Sequence, residues 1–442
     1  MTSKSLILTI VFYCLLSPLM AANNGLPIQS TNPIQDKDAA TLLDIDLNKN
    51  TKNREMRVLV FPHTLKNDYR HGIPDDDSKV RFESTEKIEL SNDTGLRLSS
   101  KTIDIVVNGT DMVVTLEDGT LISVASKINL IGKASIKVIR SLNLDKSHSY
   151  LGSFEILLKQ KAMKVINNVS IETYLRGVVP SESIHTWPLA SLKAQAVAAR
   201  TYALYHNKSF EKKEWDVDDT ARFQVYTGLT HVQNSTDKAI KETANQVMTY
   251  NGKLIVAYFH SYSGGRTDSA LNIFNQTSAP YCLGKEEVFT REELLQELQA
   301  GAHWIVNWST ELYSPENLLA IFKENSSTRG GFKSFVQGEG LKLNVVADNV
   351  MFDSHKTFEA VQNQHNTKLE FTKIRKSIGW SKFPSYHFKI SDENGKYLFK
   401  GHGWGHHVGM SQWGAFMMAK KYNKTYQEIL NHYYSGITIK EL

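Results

Sequence analysis

Cysteine is almost absent: the 442-residue chain contains only Cys14 and Cys282. Cys14 lies in an N-terminal leader expected to be removed, so no intramolecular disulfide can brace the mature chain. Its core must hold it, and Cys282 reads as a small buried hydrophobe. Metal and nucleophile signatures are missing too. There is no HExxH, CxxC or GxSxG pattern, so neither a zinc site nor a serine elbow is expected. No block of Lys or Arg occurs; 51 basic residues against 46 acidic ones leave a diffuse net charge of +5. This excludes a nucleic-acid patch. It suits an anionic polymer such as bacterial cell wall, and equally mere solubility. Beyond the leader, no apolar run approaches the roughly 20 residues of a membrane span.

The leader, residues 1–22, has Lys4, an apolar stretch from Leu6 to Leu19, and Ala21-Ala22 at its end. That is the pattern of a cleaved secretory signal, and it predicts a periplasmic or secreted protein. A retained membrane anchor is the second reading. Residues 23–54 are polar and read as a flexible leader. Residues 55–160 alternate short apolar runs with turn residues, including Asn108-Gly109 and Asp118-Gly119, and predict a β-rich region. The predicted fold class is α+β. A mixed α/β catalytic core over 161–285 and 396–442 follows the β-rich part, with an inserted subdomain over 286–395.

The stretch 165–205 organises the chain. A β-type run at 163–166 leads to a Val179-Pro180-Ser181 turn, a lone carboxylate at Glu182, and a helix from Pro188 to about Tyr205. Pro suits a first helical turn. Leu189, Leu192, Ala196, Ala199 and Ala203 recur at helical spacing and predict a buried face. Lys193 and Arg200, seven apart, share another face. One acid between a turn and a helix start is a candidate for chemistry, or else a helix cap. Asp216, Asp218 and Asp219 form an acidic loop that reads as solvated. Ser261 to Thr267, with Gly264-Gly265, follows a predicted strand. The last segment has His402, His406 and His407 among glycines, then Ser411, Gln412 and Trp413 at a helix start. Glycines permit close approach to a ligand, and hydroxyl, amide and indole groups suit a saccharide; a packed helix cap has the same composition. The histidines sit among glycines that disfavour a helix, so no metal is expected there.

Taken together, these blocks resemble the stage II sporulation protein D (SpoIID/LytB) family. The matching residues are Tyr174 to Glu182, Trp187-Pro188-Leu189, Leu192 to Tyr202, Gln224 to Gly228, Ser261 to Thr267, Gly403 to His406, Met410 to Ala415 and Ile429 to Tyr434. They keep the family's order from about Met56 to the end. The resemblance implies a lytic transglycosylase that cuts the MurNAc–GlcNAc β-1,4 bond of peptidoglycan glycan strands; a cell-wall amidase is the partner implied by the second reading, a non-catalytic wall-binding amidase enhancer. It places Glu182 as sole acid and base, with a raised proton affinity required. Lys193, Arg200, Gln224, Tyr226, Ser261, Ser263, His406, Ser411 and Gln412 are expected to bind substrate. No cofactor is implied. Where the family usually has Gly, this chain has His407; of the zinc ligands some members use, only His260 remains. A third reading, hydrolysis with a second carboxylate, would use Asp216 or Asp219.

Overall fold

The computed structural model describes residues 55–61, 79–140, 147–159, 161–208, 214–274, 276–298, 300–314, 317, 342–346, 357–362, 365–370 and 382–442. The expected signal and flexible leader lie outside these residues. The chain divides into two compact units. Among the described residues, the first comprises 55–256 with Thr438–Leu442 and the second comprises Ala257–Ile437.

The first unit begins with a sheet. Its strands are β1 (Glu55–Phe61), β2 (Lys79–Ser91), β3 (Arg97–Asn108), β4 (Asp111–Leu116), β5 (Leu121–Val124), β6 (Lys127–Gly132), β7 (Ile136–Arg140), β8 (Ser147–Tyr150), β9 (Ser153–Lys159) and β10 (Ala162–Ser170). Burial alternates along β1, β4 and β9 with the period of two that a half-buried strand requires. The expected turns form: Gly109 and Gly119 both have positive φ, between β3 and β4 and between β4 and β5. The strand order is β11-β1-β10-β9-β6-β2-β3-β4-β5, with β7 joining β2 to β8. The short β11 (Val217–Asp218) runs parallel to β1; the other pairs of this sheet are antiparallel.

Two helices cover one side of its core. α1 (Ile171–Glu182) is capped by the Ser170 hydroxyl, which accepts the Thr173 N–H. Val179-Pro180-Ser181 was expected to form a turn, yet it lies inside α1. Gly177 and Pro180 read as helix breakers in sequence. Packing overrides them: a Cβ at Gly177 would lie 2.6 Å from the Gly228 carbonyl oxygen and from the Tyr226 ring. Pro180 lies in the last turn of α1, so only Ser181 and Glu182 of the helix follow the hydrogen bond that its missing N–H removes. α2 (Leu189–Lys208) matches the expected helix. It is buried almost all round, which its alanines permit. Ala196, Ala199 and Ala203 join Tyr174, Val178 and the inward strand residues Val58, Phe82, Ile105, Ile156 and Val165 in one core. α3 (Asn234–Glu242), β12 (Gln246–Tyr250), β13 (Lys253–Leu254) and a C-terminal strand complete this unit. Asn251 and Gly252 form the tip of the β12–β13 hairpin, with positive φ at both residues.

The second unit contains β14 (Phe259–His260), α4 (Ala270–Phe274), α5 (Arg291–Glu297), β15 (Asn307–Ser309), β16 (Lys342–Val346), β17 (Thr357–Gln362), β18 (His365–Glu370), β19 (His387–Glu393), β20 (Lys396–His402), β21 (Met410–Ser411), α6 (Gln412–Lys420) and α7 (Tyr426–Tyr433). β22 (Thr438–Glu441), the C-terminal strand of the first unit, pairs with β12 in a three-stranded sheet of order β13-β12-β22. β14 pairs parallel with β21. β20 pairs with both β15 and β19. A ring cluster of Trp308, Phe383, Phe388 and Phe399 fills the space beside that sheet. Both α5 and α7 begin with a capping box, Thr290 with Glu293 and Thr425 with Glu428.

Candidate functional site

Glu182 is the last residue of α1 and is half-buried. Its Oε1 accepts the backbone N–H of Val225 at 2.7 Å. The segment supplying that amide follows β11. Two enclosed tyrosines lie within electrostatic reach of Glu182. Burial pushes the Tyr174 hydroxyl well up, helped by Tyr226 and Glu182. Burial likewise pushes the Tyr202 hydroxyl up, helped by Asp218 and then Glu182. Both phenols therefore stay neutral hydrogen-bonding groups.

The other expected residues of this unit have employment inside the fold. Arg200 is 0% exposed. Its Nε and Nη2 make a bidentate pair with the Glu172 carboxylate at 2.7 and 2.8 Å. It also donates to the Ile240 carbonyl, in the last turn of α3, and to the Gln246 carbonyl. Lys193 pairs with Glu242 at 2.6 Å, on the same side of α2. The two cations share a face, as their spacing predicts, and that face packs against α3. Gln224 is fully buried; its Oε1 accepts the Tyr174 O–H at 3.3 Å and its Nε2 donates to the Ala199 carbonyl at 3.3 Å. The Tyr226 hydroxyl donates to Asn167 Oδ1 at 2.8 Å.

The acidic loop is not solvated as its composition suggested. Asp216 Oδ2 accepts from the Arg57 N–H at 2.7 Å and from Asn207 at 2.9 Å. Burial nevertheless holds its carboxyl above the usual range, against those two donors. Asp218 is 5% exposed and accepts from the Thr220 N–H at 3.1 Å and from its hydroxyl. Parallel pairing of β11 with β1 carries the loop into the sheet, which composition could not reveal.

In the second unit, Ser263 and Ser411 converge on a residue that the sequence did not single out. Glu287 accepts from Ser263 Oγ at 2.5 Å and from the Tyr433 hydroxyl at 2.6 Å. Ser411 also hydrogen-bonds its carboxyl group. Burial raises the Glu287 carboxyl above its ordinary value, and these three hydroxyls oppose that rise. Ser411 is at the same time the N-cap of α6, accepting the Gly414 N–H at 3.1 Å. Ser261 accepts the Trp413 N–H through its carbonyl at 3.0 Å. Gln412 opens α6 and is 8% exposed. His406 is half-buried, its Nδ1 accepting the Val408 N–H at 3.1 Å. It belongs to a group of histidine rings: His260 lies 5.4 Å from His406 and 5.6 Å from His407, and His387 lies 4.3 Å from His407, between ring centres. His407 is fully buried at φ +63°, a left-handed conformation that favours glycine. Among the described residues, no group of three or more His, Cys, Asp and Glu is arranged to hold a metal ion. Cys282 is buried, and burial pushes its thiol up, which keeps it inert.

A family model for the stage II sporulation protein, SpoIID, matches residues 159–250. An uncharacterized protein of Brachyspira hyodysenteriae is 34% identical over 291 residues, which cover 66% of this chain and 72% of that protein. The stage II sporulation protein D of Bacillus subtilis is 28% identical over 299 residues, covering 63% of this chain and 77% of that protein. The chain belongs to the SpoIID family. An amidase enhancer of Bacillus subtilis is 30% identical over 290 residues, but the match spans only 40% of that protein.

Glu182, Lys193, Arg200, Gln224 and Tyr226 all fall inside the SpoIID match, whereas Ser261, Ser263, His406, Ser411 and Gln412 fall beyond it. The structure brings Glu182, Gln224 and Tyr226 together in the first unit and Ser263 and Ser411 together in the second. Three contributors to the SpoIID-matched site were missed from sequence: the Val225 amide, Tyr174 and Glu172. A backbone N–H carries no sequence signal. Tyr174 and Glu172 stand in the first turn of α1 while Glu182 ends it, so sequence proximity does not connect them; Tyr174 joins the site through Gln224, and Glu172 through its pair with Arg200.

Proposed function

We propose that this SpoIID-family protein is a lytic transglycosylase acting on peptidoglycan glycan strands, with Glu182 as sole acid and base. Membership of the family supports a role related to the cell wall. The observation that carries the finer reading is the half-buried Glu182 carboxyl, oriented by an amide and set beside enclosed phenols. In the first step Glu182 donates its proton to the glycosidic oxygen as the C1–O4 bond breaks. In the second, its carboxylate takes the proton of the MurNAc C6 hydroxyl as that oxygen bonds to C1. The product is a 1,6-anhydro ring and no water is consumed. Because the nucleophile is intramolecular, one carboxyl serves both steps, whereas ordinary glycosidases use two. The engagement of Asp216 with Arg57 and Asn207 favours this over a two-carboxylate hydrolysis. The leader supports export, to the periplasm or beyond.

The test is mass spectrometry of digested peptidoglycan. Wild type should release anhydro-muropeptides, and Glu182→Gln should release them about 100- to 10,000-fold more slowly. Undiminished release by Glu182→Gln would defeat the mechanism. The amidase-enhancer relative favours a second reading, a non-catalytic wall-binding protein. That reading predicts no anhydro-muropeptides from wild type and faster digestion when a cell-wall amidase is added.

A further inference from the structure

We infer that Gln224 and Thr227 are positioning residues that aim the Val225 amide at Glu182, and that Oε2 of Glu182 is the oxygen that gives and takes the proton. The inference deepens the proposed function and rests on it for its catalytic part. Residues 224–228 have little regular structure, yet nearly every one is tied down. Gln224 spans from the Tyr174 hydroxyl to the Ala199 carbonyl, so it is held by α1 and α2 together. The Tyr226 N–H donates to the Asp219 carbonyl at 3.1 Å, and its hydroxyl reaches Asn167 on β10. The Thr227 and Ser181 hydroxyls are 2.8 Å apart. Ser181 already donates to the Gly177 carbonyl at 2.7 Å, so Thr227 must be the donor between them. Gly177 lets the Gly228 carbonyl close on α1. Val225 is thus held between fixed neighbours, and its N–H meets Glu182 Oε1 at 2.7 Å.

The chemical consequence follows from what an N–H can do. It donates whether Glu182 is protonated or ionised, so Oε1 remains an acceptor throughout the cycle. The acidic proton of the neutral carboxyl then resides on Oε2. That oxygen protonates the glycosidic oxygen and afterwards accepts the C6 hydroxyl proton. A carboxyl held in this way keeps one oxygen aligned through both steps. Misplacement by about 1 Å can cost roughly 100-fold in rate.

The experiment compares Thr227→Val, Thr227→Ser and Gln224→Leu with wild type. Thr227→Val keeps the shape and removes the donor; Thr227→Ser keeps the donor. Thr227→Val and Gln224→Leu should lower kcat about 10- to 100-fold with KM within about twofold. Their pH–rate profiles should move to higher pH, because a lost donor disfavours the ionised carboxyl. Thr227→Ser should recover both. A second readout needs no activity: titration of the Glu182 carboxyl by carbon-13 NMR, its signal identified by its loss in Glu182→Gln. Its midpoint should rise in Thr227→Val and Gln224→Leu and return in Thr227→Ser. An unchanged midpoint in folded variants overturns the positioning role. A raised KM with unchanged kcat in Gln224→Leu instead makes Gln224 a substrate contact. If wild type makes no anhydro product, the proposed function fails, while the titration still decides whether the clamp exists.

Discussion

Glu287 and Glu182 are both carboxylates held by hydrogen bonds, but their donors differ. Glu182 meets a backbone amide near the protein's surface, whereas Glu287 gathers three hydroxyls in an enclosed place. Ser263 and Ser411 each spend a proton on Glu287, and Ser411 accepts the Gly414 amide besides. Their chemistry is therefore that of a joint between the 261–267 loop, α6 and α7. Glu287→Gln would set an NH2 group against hydroxyl donors. It should destabilise the protein by about 1–3 kcal/mol, measured by chemical denaturation. The pH sign can be worked out. Burial gives the folded Glu287 carboxyl a higher proton affinity than the unfolded one, so the folded state binds more protons in the window above the ordinary 4.5. Its contribution to stability is lost as pH rises through that window. Glu287→Gln should remove this dependence.

At the scale of elements, α2 is the member on which the others are registered. Its small residues admit close neighbours, and Arg200 ties it to α1, α3 and β12 at once. Removing one partner of such a pair leaves a charge without compensation. Arg200→Ala should cost about 3 kcal/mol, the lower end of the range for buried pairs, because Glu172 keeps partial exposure. Lys193→Ala should lower stability far less than Arg200→Ala, since the Lys193–Glu242 pair is near the surface and screened by solvent. Thermal melts of the two variants separate these cases. Equal losses would remove the distinction between a structural cation and a surface pair. Sequence spacing put both cations on one face correctly. It could not say that the face meets α3, because that depends on where a distant helix packs.

At the scale of the whole molecule, two compact units share one chain, and they carry different titrating groups. His260 in the second unit is enclosed, and burial holds its proton affinity well below the ordinary 6.5, with His406 and His387 adding to the effect. Below about pH 6.5 the unfolded chain then binds protons that folded His260 refuses, so stability is lost as pH falls. Calorimetry should show a lower melting temperature for the transition of this unit at pH 5.5 than at pH 7.5. His260→Gln should flatten that difference; an equal slope in the variant would locate the acid sensitivity elsewhere. The diffuse charge of +5 contributes little to such a local effect.

Local pattern sufficed for much of this. Alternation of apolar residues with Asn-Gly and Asp-Gly turns determined the β-rich start, and the alanine spacing determined α2. The family's blocks pointed to Glu182. What the tertiary structure alone decided was where backbone groups and buried side chains meet. It made a helix of the stretch around Pro180, with Gly177 leaving room for Tyr226 and the Gly228 carbonyl against that helix. It drew the acidic loop into the sheet, gave Arg200 to Glu172, and set the Val225 amide on Glu182. These are contacts between residues tens of positions apart, and a hydrogen bond from a main-chain N–H is written in no side chain.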